Sequence, residues 1–596
     1  MYILGISCFF HDAAAALLSD GRLVAAVEEE RFTRKKHDPE FPCNAIRHVL
    51  AAAGIESADL DYVVFFEKPF RKFERILLTA LGTYPRGSGL FRSAMTTWLT
   101  DKLWVSALIA ERVGVPRDKI FFSEHHLSHA ASAFFCSPFE DAALMTVDGV
   151  GEWATATTGY GKGTELQLTR EVRFPHSIGL LYSTFTAFLG FEVNEGEYKV
   201  MGMAPYGRPR YVDEVRKLVR MAGDGGFHLD LDYFTFQRST SLPYGKRFVK
   251  LFGPPRPIDA PFFTEASGYP SYFGPRPADF IEQARRNQHY ADIAASIQLV
   301  TEELVVNMAQ ALQRETGLTR LCLAGGVALN SVANWRILRE AGFTELYVQP
   351  AAGDAGGAVG AALYLYHALL GKPRSFVMDH GFWGPSYRED EIRAFLDSEG
   401  IAYERLDDDA LFERAAESLA AGEVIGWFHG AAEWGPRALG HRSILADPRR
   451  AEMKDIVNTK IKYREPYRPF APSVLASAVP QFFDAPGVER QYPGRFMLLV
   501  VPIQPSRREA IPAVTHVDGT GRLQVVVREG NERYAELIDR FGKKTGVPVL
   551  LNTSFNLRGE PIVNTPREAY ETFRRSQLDA LVLERYLVRR DGRERR

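Results

Sequence analysis

Strand-like apolar runs that alternate with helical patterns constrain this chain more than any other feature. "LDYVVFFEK" (residues 60–68), "DAALMTVDGVGEWATATTGYG" (141–161), "LTRLCLAGGVALNS" (318–331) and "ELYVQPAAGDAGGAVGAALYLYHAL" (345–369) read as buried strands, mostly closing on glycines. The last two pass directly into helices. "ADIAASIQLVTEELVVNMAQALQRETG" (291–317) carries apolar residues at helical spacing and ends on a glycine suited to a C-cap. The N-terminal "MYILGISCFFHDAAAALLSDGRLVAAVEEERFTRKKHD" reads as a strand hairpin around "SDG", followed by a charged loop. Alternation of this kind predicts a mixed α/β architecture.

At 596 residues the chain exceeds a single core, and two large domains are expected. The pattern breaks at residues 369–390, which places the first domain at 1–372 and the second at 389–596. Within the first, about 70–110 and 208–285 depart from the alternation and read as insertions. Beyond the break, "EVIGWFHG", "GRFMLLVVPI", "RLQVVV" and "GVPVLLNTSF" are the strand-like segments of a second α/β domain. The 72 basic and 74 acidic residues nearly cancel, so neither nucleic acid nor an anionic membrane is expected as a partner. The most apolar segment, 76–110, is broken by Arg86, Arg92, Asp101 and Lys102 before it could span a bilayer. Four scattered cysteines without a CxxC pair, and an N-terminus without a signal-peptide pattern, fit a protein of the reducing cytoplasm.

"EHHLSHAASAFF" (124–135) places three histidines within five positions at a helix start. Residues four apart share a helix face, so His125 and His129 can converge on one ion while His126 points elsewhere. Taken alone, the pair is equally compatible with capping or core histidines. Asp148 closes the strand "AALMTVDG" and Asp354 lies in the glycine-rich turn "AAGDAGGAVG", each also a plausible N-cap or turn former. Two imidazoles with one or two carboxylates match Fe(II), Mn(II) or Zn(II), and the oxygen share argues against a structural zinc. "VDGVGEW" and "LAGGVALNSVAN" supply glycines where backbone could approach a phosphate or simply pack tightly; no GxxxxGK[ST] loop is present.

In the second half, "EWGPRALGHRSILADPRRAEMKDIVNTKIKYREPYRPFAPSV" (433–474) gathers Arg437, His441, Arg442, Lys460, Lys462, Arg464 and Arg468. Arg464 and Arg468 lie among prolines and aromatics, a setting for rigid guanidinium groups that grip phosphate or carboxylate bidentately. "VLLNTSFN" ends a strand with Asn552, Thr553, Ser554 and Asn556, either a polar grip or a turn cap.

These motifs, together with "EEERFTRKKHD", "NEGEYKVMGMAPYG", "WGPRALGHRSILADP" and "REPYRPFAPSV", occur in one order along nearly the whole chain. In that order they resemble the O-carbamoyltransferases of nodulation-factor, cephem and aminoglycoside biosynthesis, and most nearly the saxitoxin-type toxin-pathway branch. The resemblance implies an N-terminal domain of the actin-like ATPase superfamily, like the threonylcarbamoyl transferase of tRNA. It implies a C-terminal domain like the threonylcarbamoyl-adenylate synthase. It also implies a divalent metal, usually Fe(II), on His125, His129, Asp148 and Asp354. Nucleotide loops would be carried by Gly149, Gly151, Lys199, Gly202, Gly325, Gly326 and Asn330, and His11 would deprotonate the acceptor hydroxyl. Carbamoyl phosphate would bind through Lys460, Arg464, Arg468, Arg522, Asn552 and Ser554. ATP with Mg(II) and carbamoyl phosphate would be co-substrates, a small-molecule hydroxyl the acceptor, and a homodimer the assembly. A tRNA acceptor is disfavoured by the near-neutral charge. A non-catalytic actin-like regulator is the remaining alternative, against which the full set of candidate residues argues.

Overall fold

The computed structural model describes residues 1–590 except 90, 93, 94, 96, 97, 99–101, 240, 241, 259, 271, 272, 463, 464 and 466; the Lys460 side chain also lies outside the description. Contacts group residues 1–29, 37–269 and 277–378 into one compact unit, and residues 30–36, 270–276 and 379–596 into another.

The first unit is built on two five-stranded sheets. In the first, β1 (Tyr2–Ser7), β2 (Ala14–Ser19) and β3 (Arg22–Glu28) form an antiparallel meander, and β4 (Tyr62–Phe65) and β5 (Ile120–Phe122) extend it in parallel, in the order β3-β2-β1-β4-β5. In the second, the meander is β6 (Asp141–Val147), β7 (Ala154–Lys162) and β8 (Glu165–Arg173). After a small hairpin of β9 (Val219–Met221) and β10 (Phe227–Leu229), β11 (Arg320–Ala324) and β12 (Glu345–Tyr347) complete the order β12-β11-β6-β7-β8. Both sheets therefore run three antiparallel strands and then two parallel ones on the far side of the first. This duplicated unit is the actin-like ATPase architecture. The parallel strands are nearly all apolar because helices cover them.

Five helices matter for the site: α1 (Pro69–Gly82), α2 (His125–Phe134), α3 (Phe280–Thr316), α4 (Ser331–Glu340) and α5 (Gly356–Leu363). The glycine-rich sequence of α5 follows from its packing. It is buried throughout, a side chain at Gly5 of β1 would run into the Ala358 carbonyl, and one at Gly360 would run into that of Ser128 on α2. Only hydrogen fits at such helix approaches. Helix α3 ends on Gly317 at φ +67°, the left-handed C-cap read from the sequence, but it begins at Phe280, inside the segment read as an insertion. There Phe280 stacks on Phe263 with ring centroids 5.4 Å apart, which anchors the extra turns. Residues 141–161, read as one strand, are two: the stretch from Asp148 to Trp153, with its two glycines, turns β6 back into β7.

The second unit carries a mixed nine-stranded sheet. Its strands are β13 (Glu404–Arg405), β14 (Ile425–Phe428), β15 (Arg442–Ala446), β16 (Ala471–Leu475), β17 (Leu499–Pro502), β18 (Thr520–Val526), β19 (Val549–Ser554), β20 (Ala580–Leu583) and β21 (Tyr586–Arg589), in the order β13-β21-β20-β14-β15-β19-β16-β18-β17. Two helices, α6 (Asp408–Ala421) and α7 (Glu532–Thr545), pack together over one face. Tyr534, Leu537, Ile538 and Phe541 recur at helical spacing on α7 and are all fully buried, each worth about 1.5–3 kcal/mol of burial. Among the described residues, no helix is long and apolar enough to cross a membrane.

Candidate metal centre

Four buried side chains from three places converge in the first unit. His125 and His129 lie one turn apart on α2, Asp148 follows the end of β6, and Asp354 sits in the turn between β12 and α5. His125 Nε2 lies 3.1 Å from Asp148 Oδ2, 3.0 Å from His129 Nε2 and 3.6 Å from Asp354 Oδ1. His129 Nε2 lies 3.8 Å from Asp148 Oδ2 and 3.5 Å from Asp354 Oδ1. Ligand bonds of about 2.1 Å give ligand–ligand edges of about 3.0 Å at right angles and about 3.4 Å in a tetrahedron, which these separations match. The donor set fits a divalent cation for a second reason. Asp354 Oδ1 is buried and accepts no hydrogen bond, a costly state for a carboxylate oxygen unless a cation takes it up.

The clustered side chains also set one another's charge. Burial opposes charge on His125, but the neighbouring carboxylates of Asp354, Asp148 and Glu67 outweigh it and hold the imidazole well above its ordinary pKa. His129 is raised against burial through Asp148 and Asp354. Asp148 is held well below the carboxylate range, its burial outweighed by the two histidines. His126 does point elsewhere, as its position on the helix requires. It is buried, its ring nitrogens bond Thr146 Oγ1 (2.6 Å) and the Ala154 carbonyl (2.9 Å), and burial beside its two neighbours pushes it down to about 3.

His11 lies in the loop between β1 and β2, with Nε2 3.9 Å from Asp354 Oδ2. Its Nδ1 bonds Asp12 Oδ2 at 2.8 Å, and Asp12 Oδ1 meets His37 Nδ1 at 2.6 Å. Burial opposes its charge, but Asp354 and the bond to Asp12 raise His11 to about 9. In this charge environment the imidazole is a donor.

The glycines proposed for nucleotide loops have distinct surroundings. A Cβ on Gly151 would meet the His125 ring at 2.9 Å, whereas one on Gly149 would meet nothing within 4 Å. Gly325, at φ +95°, lies too close to the Val147 carbonyl for a side chain, and the Gly326 N–H donates to Asp148 Oδ1 at 2.8 Å. This pair brings the β11 loop onto the end of β6. Asn330 caps α4, its Oδ1 accepting from Ala333 N–H (3.2 Å) and from Gln298 (3.1 Å). Lys199 is half-buried with its ammonium 5.6 Å from the Phe191 ring centre, and Gly202 is buried in the helix 197–203.

In the second unit, strand register puts Arg522, Asn552 and Ser554 on one face, with Ser473 and Gln524 between them. Asn552 donates to Gln524 Oε1 at 2.9 Å, while its own Oδ1 is buried without a hydrogen bond. The ammonium of Lys462 reaches Ser554 Oγ (3.3 Å), the Asn556 carbonyl (2.9 Å) and Asn556 Oδ1 (2.7 Å). Arg468 reaches Glu465 at 3.5 Å. Arg464 and the Lys460 side chain lie outside the described residues. Arg442 and His441, grouped with these cations by sequence, serve the fold. Arg442 lies 3.6 Å over the Phe428 ring and donates to the carbonyls of His429, His441, Pro385 and Gly430, and His441 stacks on Phe382 at 3.5 Å.

Sequence reading passed over Asp12, although it adjoins His11 in the quoted motif, and placed Lys462 only among the basic cluster. Glu67 and Glu152 gave no local signal. Glu152 accepts from the backbone N–H of His125 (3.0 and 3.2 Å) and of Lys68 (2.8 Å), fixing the start of α2. Glu67 faces His125 Nδ1. Burial opposes its charge, but Lys72 and His125 hold its pKa down to about 2.

The family profile "Carbamoyltransferase N-terminus" matches residues 2–363, and "Carbamoyltransferase C-terminus" matches 416–590. An uncharacterized protein of Synechocystis sp., sll1178, is 45% identical over 100% of this chain and 98% of its own length. The nodulation protein NolNO of Sinorhizobium fredii is 39% identical over 98% of this chain and 79% of its own. Among solved structures, HypF of T. kodakarensis covers 62% of this chain and 48% of its own at 13% identity, with a TM-score of 0.31. With both halves matched, and with full-length relatives at this identity, the chain is a member of the carbamoyltransferase family.

Proposed function

We propose that this carbamoyltransferase moves the carbamoyl group of carbamoyl phosphate to a hydroxyl of a small-molecule natural product, in two ATP-dependent half-reactions. The observation that carries the reading is the buried His125–His129–Asp148–Asp354 cluster with His11 at its edge. In the second unit, water cleaves carbamoyl phosphate to carbamate and phosphate. A carbamate oxygen then attacks the α-phosphate of ATP, whose Mg(II)-bound pyrophosphate leaves, giving carbamoyl adenylate. Lys462, Asn552, Ser554 and Arg522, with the family-assigned Lys460, Arg464 and Arg468, are the groups we assign to carbamoyl phosphate; preorganised cations stabilise charge developing on its oxygens. In the first unit, the acceptor hydroxyl attacks the carbamoyl carbon and AMP leaves.

His125, His129, Asp148 and Asp354 would hold a divalent cation, for which we propose Fe(II) with Mn(II) or Zn(II) as substitutes; when bound it supplies Lewis-acid polarisation of a phosphate oxygen. The loops with Gly149, Gly151, Lys199, Gly202, Gly325, Gly326 and Asn330 would surround the nucleotide. His11 takes the acceptor's proton at Nε2, oriented by Asp12 on Nδ1. Four free cysteines, three of them buried, accord with a cytoplasmic setting, and a homodimer is the assembly we propose.

Purified protein given ATP, carbamoyl phosphate and a panel of polyols and guanidine alcohols should release AMP and pyrophosphate; release of neither overturns the reading. A Lys460→Ala variant should lose adenylate formation while still transferring from supplied carbamoyl adenylate. Joint failure of both half-reactions in a folded variant would contradict the division of labour.

A further inference from the structure

His125 has carboxylates facing both ends of its ring. Nε2 of His125 faces the carboxylates of the cluster, while Nδ1 points at Glu67 Oε2, 3.8 Å away. Glu67 directly follows the Phe65–Phe66 pair at the end of β4; it is 3% exposed, and its Oε2 also receives the Lys72 ammonium at 2.6 Å. Lys72 is one turn into α1, buried, and its ammonium lies 5.3 Å from the centre of the Phe10 ring, next to His11. The Phe66 ring packs on the His125 ring with centroids 5.4 Å apart. Nδ1 is buried without a hydrogen bond on both histidines, and Glu67 is the carboxylate that stands within ion-pair distance of the one on His125.

A neutral imidazole carries one proton, so a proton on Nδ1 leaves the lone pair on Nε2. We propose that Glu67 is a positioning residue for the metal centre: its carboxylate, 3.8 Å from Nδ1 here, would close on the Nδ1 proton of His125 when a cation is held and so present Nε2 to it, and Lys72 holds Glu67 in place. The inference rests on the metal reading of the four-residue cluster. Carboxylates placed this way behind ligating histidines orient the ring and raise its basicity, and their loss costs about 10–100-fold in metal affinity. Helix α1, in the segment read from sequence only as an insertion, thereby acquires a task. It delivers Lys72 to Glu67, and Arg75 to the Gly151 carbonyl at 2.6 Å, so two neighbours of His125 depend on it.

The test is Zn(II) affinity of the full-length protein against a competing chelator, for the wild type and for Glu67→Gln, which keeps the shape of the side chain. The variant should bind Zn(II) about 10–100-fold more weakly while its metal-free form melts with the wild type. Equal affinity overturns this proposal alone; absence of Zn(II) binding by the wild type overturns the metal reading and this proposal with it. Should Glu67→Gln fail to fold, ¹⁵N-histidine NMR of the Zn(II)-loaded wild type decides. His125 coordinated through Nε2 with a slowly exchanging Nδ1–H is the expected spectrum, and coordination through Nδ1 refutes the assignment.

Discussion

Gly151 and Gly149 both lie in the loop "VDGVGE" and look interchangeable in sequence, yet the structure gives them opposite tolerance to a methyl group. An alanine at 151 would place its Cβ 2.9 Å from Cβ and Cδ2 of His125 and 3.0 Å from Cγ. Ordinary contact needs about half an ångström more. Phe66 packs on the same ring at 5.4 Å and limits its retreat, and the His125 backbone N–H is pinned by Glu152. Overpacking of this kind costs about 1–3 kcal/mol. Metal ligation tolerates only about 0.2 Å of ligand displacement, so the strain falls on the centre. At about 1.4 kcal/mol per tenfold, Gly151→Ala should weaken metal affinity about 5- to 100-fold, whereas Gly149→Ala, with nothing within 4 Å, should leave it unchanged. Neither glycine has a positive φ, so backbone strain does not confuse the comparison. Thermal melting with and without Zn(II), and chelator competition, measure both variants. Wild-type behaviour of Gly151→Ala, or equal damage from Gly149→Ala, would refute the packing argument.

His129→Ala removes one of four ligands, and metal analysis of the purified variant should show a large loss; full retention would sink the assignment. Arg442→Lys keeps the charge but not the planar fork that serves four carbonyls and stacks on Phe428, and each carbonyl left bare costs about 1–3 kcal/mol, read as a lower melting temperature of the second unit. Asp408 accepts from Arg585 and Arg533, and these bonds lower its pKa. Its contribution is present at neutral pH and lost on acidification, so Asp408→Asn should cost at most about 1 kcal/mol at pH 7, given its exposure. The melting difference from wild type should narrow as pH falls below about 5; a difference independent of pH would contradict the ion-pair origin.

Much of this protein was legible in the chain because it follows from local rules. The spacing of His125 and His129 dictates a shared helix face, apolar runs ending at Asp148 and beside Asp354 put carboxylates at strand ends, and Gly317 stops the long helix. Ordered motifs carried the family. What sequence did not reveal depends on residues far apart in the chain. The order of each five-stranded sheet rests on long-range pairing, as of β11 with β6, and Arg442 reads as one more basic residue until burial over Phe428 gives it a fold-holding place. The division among the glycines is set by what stands opposite each one: the His125 ring at Gly151, the Val147 carbonyl at Gly325, open space at Gly149. Glu67 belongs to the same class. The chain determines that a carboxylate follows β4, but only the fold brings His125 and Lys72 to it from different elements, because ring orientation and buried charge are properties of packing rather than of spacing.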